Sequence, residues 1–393
     1  MNQNVSSYIM PTYGDRQLEF KEGKGCYLVS TENKKYLDFG SGIAVNSLGH
    51  SHPILVKKLQ DQASKLWHTS NLYFNSEQEE YAKILCQNSF AEKIFFTNSG
   101  AEAIEAGLKV IRKYHHHNKN FNKKTILTFE GAFHGRTFGA MSAQQNNKYS
   151  EGFEPLMQGF KKLPFNDIEE IKKNIDENIS AILLEPIQGE GGIKPADLKF
   201  LEKIREICNK NDILFFLDEV QTGFGRTGKL FAYDWANLEP DIVAVAKGIA
   251  SGFPLGACMS TNKACVGMTK GTHGSTFGGN LLAVSVGIEV IKILIEKEFM
   301  TEVDQNARYL WIKLKEFEKE LDEIIELRGA GFLLGIKTKS NNFEINNLLT
   351  KNGLLCVPAA DNIIRLAPPL IINKNEIDEG LQIIKKTLTK KSQ

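Results

Sequence analysis

Two apolar runs, each ending abruptly at ionisable side chains, constrain this chain more than any other feature. Ile213-Leu214-Phe215-Phe216-Leu217 stops at Asp218 and Glu219. Ile242-Val243-Ala244-Val245-Ala246 stops at Lys247. Runs of this length that are apolar on both faces suit central strands of a parallel sheet covered by helices. Open α/β sheets bind ligands outside the carboxyl ends of their strands. If the two runs are neighbouring strands, an acid and an amine face one crevice.

Few chemistries want that pair. Pyridoxal phosphate does, using a lysine to bind its aldehyde and an acid to keep its pyridine nitrogen protonated. A lysine after a strand is also an ordinary solvated end, and Asp-Glu is ordinary loop composition. The inference therefore needs agreement from other stretches.

The 393 residues exceed one ordinary core and predict two or three domains. Helix and strand patterns alternate from about residue 53, as in an α/β domain spanning residues 53–280. From Leu281 the texture changes to long helices followed by short strands, which predicts a separate α+β domain over 281–393. Residues 1–52 form an N-terminal segment of turns and short strand-like pieces. A net charge of +1 gives no reason to expect nucleic acid or an acidic membrane surface as partner. The first ten residues lack the basic start and apolar core of a signal peptide. Leu281–Ile295 is interrupted by Glu289 and Lys292, short of a membrane span. The six cysteines are scattered without a Cys-x-x-Cys, which predicts reduced thiols in a cytoplasm and no zinc site. His115-His116-His117 closes a predicted helix; consecutive residues there point in different directions, so a solvated helix end is expected and no metal.

Five stretches carry chemistry. In Thr97-Asn98-Ser99-Gly100-Ala101-Glu102-Ala103 a strand gives way to a helix. Asn98 or Ser99 can cap it, leaving the N–H groups of Gly100 and Ala101 to face an anion such as a phosphate. In Glu130–Thr137, Phe133 can lie on a pyridine ring and Arg136 can pair with a carboxylate. Leu184–Gly192 puts acids, among them Glu190, at a strand end and in a flexible turn. In Asp218–Gly228, Asp218 can hold the ring nitrogen, with Glu219 and Val220 beside it, and Gln221 can bond the ring hydroxyl. Lys247 needs burial or a positive neighbour to lower its pKa before it attacks an aldehyde. Gly271–Asn280 offers hydroxyls and N–H groups for a second phosphate contact.

Taken in order, Asn-Ser-Gly-Ala-Glu-Ala, Phe-His-Gly-Arg-Thr, Glu-Pro-Ile-Gln-Gly-Glu-Gly-Gly, Leu-Asp-Glu-Val-Gln-Thr-Gly, Ala-Lys-Gly and Ser-Thr-Phe-Gly-Gly-Asn resemble the class III aminotransferases that use pyridoxal 5'-phosphate. The resemblance runs from Gly40 to Arg365-Leu366-Ala367-Pro368-Pro369. It implies a transferase of fold type I, with a large domain built on a mixed, mostly parallel sheet and a smaller domain that includes the N-terminal segment. It also implies a homodimer with sites at the subunit interface. By motif position, Lys247 carries the cofactor, Asp218 holds the ring nitrogen and Phe133 stacks on the ring. Gly100, Ala101 and Thr276 hold the phosphate, Thr276 reaching the neighbouring subunit's site. Arg136 binds the substrate carboxylate and Ser275 touches the substrate.

Leu66–Tyr73 and Phe133–Arg136 are similar to members that take acetylornithine as amino donor and 2-oxoglutarate as acceptor. Ornithine, succinylornithine, 4-aminobutyrate and succinyldiaminopimelate remain alternative donors, and an aminomutase or racemase could use the same scaffold. The resemblance further implies a movable Glu190 paired to Arg365, which neutralises the arginine for an amine-tailed substrate and frees it for a carboxylate. Leu281 stands where relatives often carry proline; leucine is also a good helix former.

Overall fold

The computed structural model describes residues 8–14, 18–144 and 146–391. An antiparallel meander comes first, with β1 (Phe20–Lys24), β2 (Tyr27–Ser30) and β3 (Lys35–Asp38). The alternating region then supplies β4 (Lys93–Thr97), β5 (Thr125–Phe129), β6 (Phe160–Leu163) and β7 (Ile179–Leu184). A short ribbon of β8 (Ile187–Gln188) and β9 (Lys194–Pro195) follows. Next come β10 (Leu214–Asp218), β11 (Ile242–Val245) and β12 (Gly256–Ser260). Apart from the ribbon, these strands form a seven-stranded sheet in the order β4-β12-β11-β10-β7-β5-β6. β12 runs antiparallel to both neighbours and the other pairs are parallel.

The both-faces reading of the two apolar runs is met in detail. Phe215, Leu217, Val243 and Val245 enter one hydrophobic core, while Leu214, Phe216, Ile242 and Ala244 enter another on the opposite face. The helix Leu198–Asn211 covers the first face with Phe200, Leu201, Ile204 and Cys208. The helix Gly100–His117 covers the second. It comes so close that a Cβ on Gly107 would sit 2.2 Å from the Phe216 ring, so only glycine allows this packing.

The C-terminal strands β13 (Ile324–Ala330), β14 (Leu333–Thr338), β16 (Val357–Ala359) and β17 (Ile363–Leu366) form an antiparallel sheet ordered β13-β14-β17-β16. The two-residue β15 (Leu354–Leu355) lies elsewhere, pairing in parallel with β3. The N-terminal meander is thereby hydrogen-bonded into the C-terminal part of the chain. The helix Leu281–Leu294, capped by Asn280, packs on the helices Pro53–Ala63 and Ser76–Gln87. Leucine at position 281 is accommodated as its first residue. The following helix Lys297–Glu320 reaches β13.

The expected solvated end at His115–His117 needs one correction. His116 and His117 are exposed, but His115 is buried and its Nε2 donates to the Ser180 carbonyl at 2.9 Å. All six cysteines are free thiols. Among the described residues, no helix is long and apolar enough to cross a membrane.

Candidate active site

β10 and β11 are parallel neighbours in the register Asp218↔Ala244, so their carboxyl ends open on the same side. Asp218, the last residue of β10, is buried. Its Oδ1 accepts from the Val220 N–H at 3.0 Å, and its Oδ2 lies 2.8 Å from His134 Nδ1. His134 comes from the turn after β5. Its Nε2 is buried without a partner among the described residues.

Lys247 opens a single 3-10 turn directly beyond β11, with φ at +48°. This left-handed conformation is unfavourable for a side-chain-bearing residue, and such outliers concentrate at functional sites. Burial lowers the Lys247 pKa to about 8, helped by the nearby Arg365 guanidinium and opposed by Glu190, Asp218 and Glu185. The amine is thus poised close to neutrality, as a nucleophile or proton carrier requires.

The helix beginning at Gly100 is set by two side chains. Ser99 Oγ accepts from the Glu102 N–H at 3.3 Å, and the Asn98 backbone and amide nitrogens each donate to Glu102 Oε2 at 2.8 Å. The N–H groups of Gly100 and Ala101 have no acceptor within the helix, as at any helix start, and both residues line the cavity. A Cβ on Gly100 would come within 2.7 Å of Val220 Cγ1, so this close approach needs glycine.

Glu185, just past β7, is buried and holds two loops at once. One carboxylate oxygen accepts from the Phe133 N–H at 2.9 Å and the other from the Gly189 N–H at 3.1 Å. Burial, with the charge of Asp218, pushes its pKa up to about 7. On the far side, Arg365 of β17 is 1% exposed. Its Nη1 donates to Glu190 Oε1 at 2.6 Å and to Gln221 Oε1 at 2.9 Å. Its Nε and Nη2 are buried without partners among the described residues. The Arg365–Glu190 pair thus joins the β8–β9 turn to the C-terminal sheet.

Gly100, Ala101, Phe133, Arg136, Asp218, Val220, Gln221 and Lys247 line one cavity of about 460 Å³, together with His134 and Glu185. Glu219, expected to contact a cofactor, does not join them in lining the cavity. Its buried carboxylate accepts from the N–H groups of Ala232 and Tyr233 and from the Thr222 hydroxyl. Gln221 spends its carbonyl oxygen on Arg365. Ser275 and Thr276 also lie off the cavity lining. Ser275 Oγ accepts from the Gly278 N–H at 2.9 Å and sits 3.3 Å from Asn98 Nδ2, while Thr276 is exposed. Sequence reasoning missed His134 and Glu185 as partners. The available signal was that a buried Asp218 needs a donor, and a histidine stands in the same turn as Phe133.

Strand order, the pair at the strand ends and the helix start fit the resemblance to the class III aminotransferases. The profile of the family described as "Aminotransferase class-III" matches residues 9–388, and the chain belongs to that family. The chain is 47% identical over 380 residues to the acetylornithine aminotransferase of Mesorhizobium japonicum, covering 96% of this chain and 95% of that protein. It is 43% identical over 388 residues to that of Bacillus cereus, covering 99% of each. Among solved structures, the acetylornithine aminotransferase of Elizabethkingia anophelis is 32% identical and superposes with a TM-score of 0.86 over 97% of this chain and 96% of that one. An ornithine aminotransferase structure from Toxoplasma gondii, described as having PLP at partial occupancy in its active site, is 29% identical with a TM-score of 0.93 over 98% of this chain and 92% of that one.

Proposed function

We propose that this chain transfers the terminal amino group of N2-acetyl-L-ornithine to 2-oxoglutarate, giving N-acetyl-L-glutamate 5-semialdehyde and L-glutamate, a step of arginine biosynthesis, with pyridoxal 5'-phosphate as cofactor. The observation that carries this reading is a poised lysine and a His-paired acid at adjacent strand ends, with an arginine–glutamate pair bonded to Gln221 of the same cavity. The residues fit the cofactor: an amine for its aldehyde, an acid for its ring nitrogen, Phe133 and Val220 for its faces, and the helix start at Gly100 and Ala101 for its phosphate. When bound, that group supplies an aldehyde carbon and an electron-accepting ring.

In this reading Lys247 binds the aldehyde carbon, then holds and moves the substrate proton. Asp218, oriented by His134, keeps the ring nitrogen protonated. Arg136 receives a substrate carboxylate. Arg365 faces the tail of the substrate. With Glu190 paired it offers no net charge to an acylated amine donor; with Glu190 withdrawn it receives the second carboxylate of 2-oxoglutarate. Ser275 touches the acetylated substrate, and Thr276 holds the phosphate in the neighbouring subunit of a cytoplasmic homodimer. The residues around them support that assembly. Trp67, Leu72, Tyr73, Phe74 and Phe277 are exposed, and Asn71 ties their loops by donating to the carbonyls of Ser275 and Gly278. Sedimentation equilibrium is expected to give the mass of two chains, and Leu72→Asp a single inactive chain. An active monomer would remove the dimer from the proposal.

The substrate test is spectroscopic. The yellow protein is mixed separately with acetylornithine, ornithine, 4-aminobutyrate and succinyldiaminopimelate. Acetylornithine is expected to bleach it fastest; a faster rival would replace it. Replacing Glu190 by glutamine leaves the Arg365 charge uncompensated. The KM for acetylornithine should then rise about 10-fold or more, with cofactor binding kept. An unchanged ratio of the two substrates' kcat/KM values would refute the gate.

The lysine gives a pH prediction. Binding an aldehyde needs the neutral amine, so the rate at which cofactor-free protein takes up pyridoxal phosphate should rise with pH through a midpoint near 8, not in the ordinary lysine range. Arg365→Leu removes a neighbour that lowers this pKa, so the midpoint should move up. A midpoint that stays put or falls in that variant would contradict the assigned neighbour.

A further inference from the structure

The carboxylate receptor assigned above, Arg136, has no acid partner among the described residues. Its neighbours are rings. The guanidinium carbon lies 4.3 Å from the centroid of Tyr149 and 5.6 Å from that of Phe133. The two rings brace each other edge to face, 5.5 Å apart with an 80° angle between planes. Tyr149 comes from the single-turn helix Asn147–Ser150, which follows the helix Phe138–Gln144. Its ring also lies 5.5 Å from the Lys148 ammonium, a longer approach by an exposed cation.

A guanidinium resting on an aromatic face keeps its N–H edge free, and that edge is what grips a carboxylate with two parallel hydrogen bonds. A free arginine would lose much rotamer freedom on binding; one already stacked has less to lose. Resting on the assignment of Arg136 as carboxylate receptor, we infer that Tyr149 is a positioning residue for substrate binding. Its ring, braced by Phe133, forms a shelf that holds Arg136 with its donor edge toward the cavity. The contact needs the ring and not the hydroxyl.

The test measures binding of glutarate, a dicarboxylate that cannot react, to the holoenzyme by calorimetry, with the KM for 2-oxoglutarate measured alongside. Tyr149→Phe should bind within about twofold of the parent, because the ring remains. Tyr149→Leu, which keeps apolar bulk without a π face, should weaken binding about 10-fold. Arg136→Gln should weaken it further. The double variant should bind no worse than Arg136→Gln alone, since the shelf then has nothing to hold. Parent-like binding by Tyr149→Leu, or additive losses in the double variant, would overturn the shelf. Unchanged binding by Arg136→Gln would instead overturn the carboxylate role of Arg136, and the inference with it.

Discussion

Replacement of Lys247 by alanine is expected to lower turnover by about 10⁴-fold or more, with the melting temperature close to that of the parent. The amine is half-buried, carries a depressed pKa and follows the apolar run of β11, yet among the described residues it forms no ion pair. Alanine keeps the Cβ and with it the left-handed backbone, while the substitution takes a poorly solvated cation out of the cavity. Stability should hold or rise while chemistry stops. Borohydride treatment of the parent should leave the label on the peptide containing position 247, and none on the variant. A variant that retains more than a few per cent of parental kcat would remove Lys247 from its assigned role.

The second large effect concerns Asp218. The substitution Asp218→Asn keeps size and shape but loses the charge that faces His134 at 2.8 Å. A group positioned to hold a proton through the reaction is typically worth about 10²- to 10⁴-fold, and kcat/KM should fall by that order. Cofactor affinity should fall as well, because the same carboxylate is to hold the ring nitrogen. His134→Ala should reproduce part of the loss, since it removes the group that orients the carboxylate and no more. If Asp218→Asn kept parental kcat/KM while His134→Ala did not, the order of the two roles would be reversed.

Much of this site was legible in the chain because its strands are apolar on both faces. Such strands must be central, and central parallel strands align their carboxyl ends, so Asp218 and Lys247 could be joined before any coordinate was known. The adjacent acid shows where that reasoning stops. Asp218 and Glu219 follow the same strand, but successive residues point to opposite sides. One enters the cavity and the other turns into the Thr222–Tyr233 segment. Both acids look alike in sequence; which of them faces the ligand depends on which helix covers which face. His134 and Glu185 were hidden for a related reason, since each acts through a partner on another strand, and only the order β10-β7-β5 brings them together. His115 was misjudged because its acceptor is the Ser180 carbonyl, at the far end of a different element. Ser275 and Thr276 do not line this chain's cavity.

The pairing of β15 with β3 has a consequence for how the protein is made. Lys34, beside β3, donates to the Lys351 carbonyl, 317 residues further along. A ribosome adding about 5–20 residues per second leaves the emerging meander without its fourth strand for about 15–60 seconds. During that interval an open strand edge is exposed to other nascent chains. The edge of β3 thus finds its partner only once β15 has been synthesised.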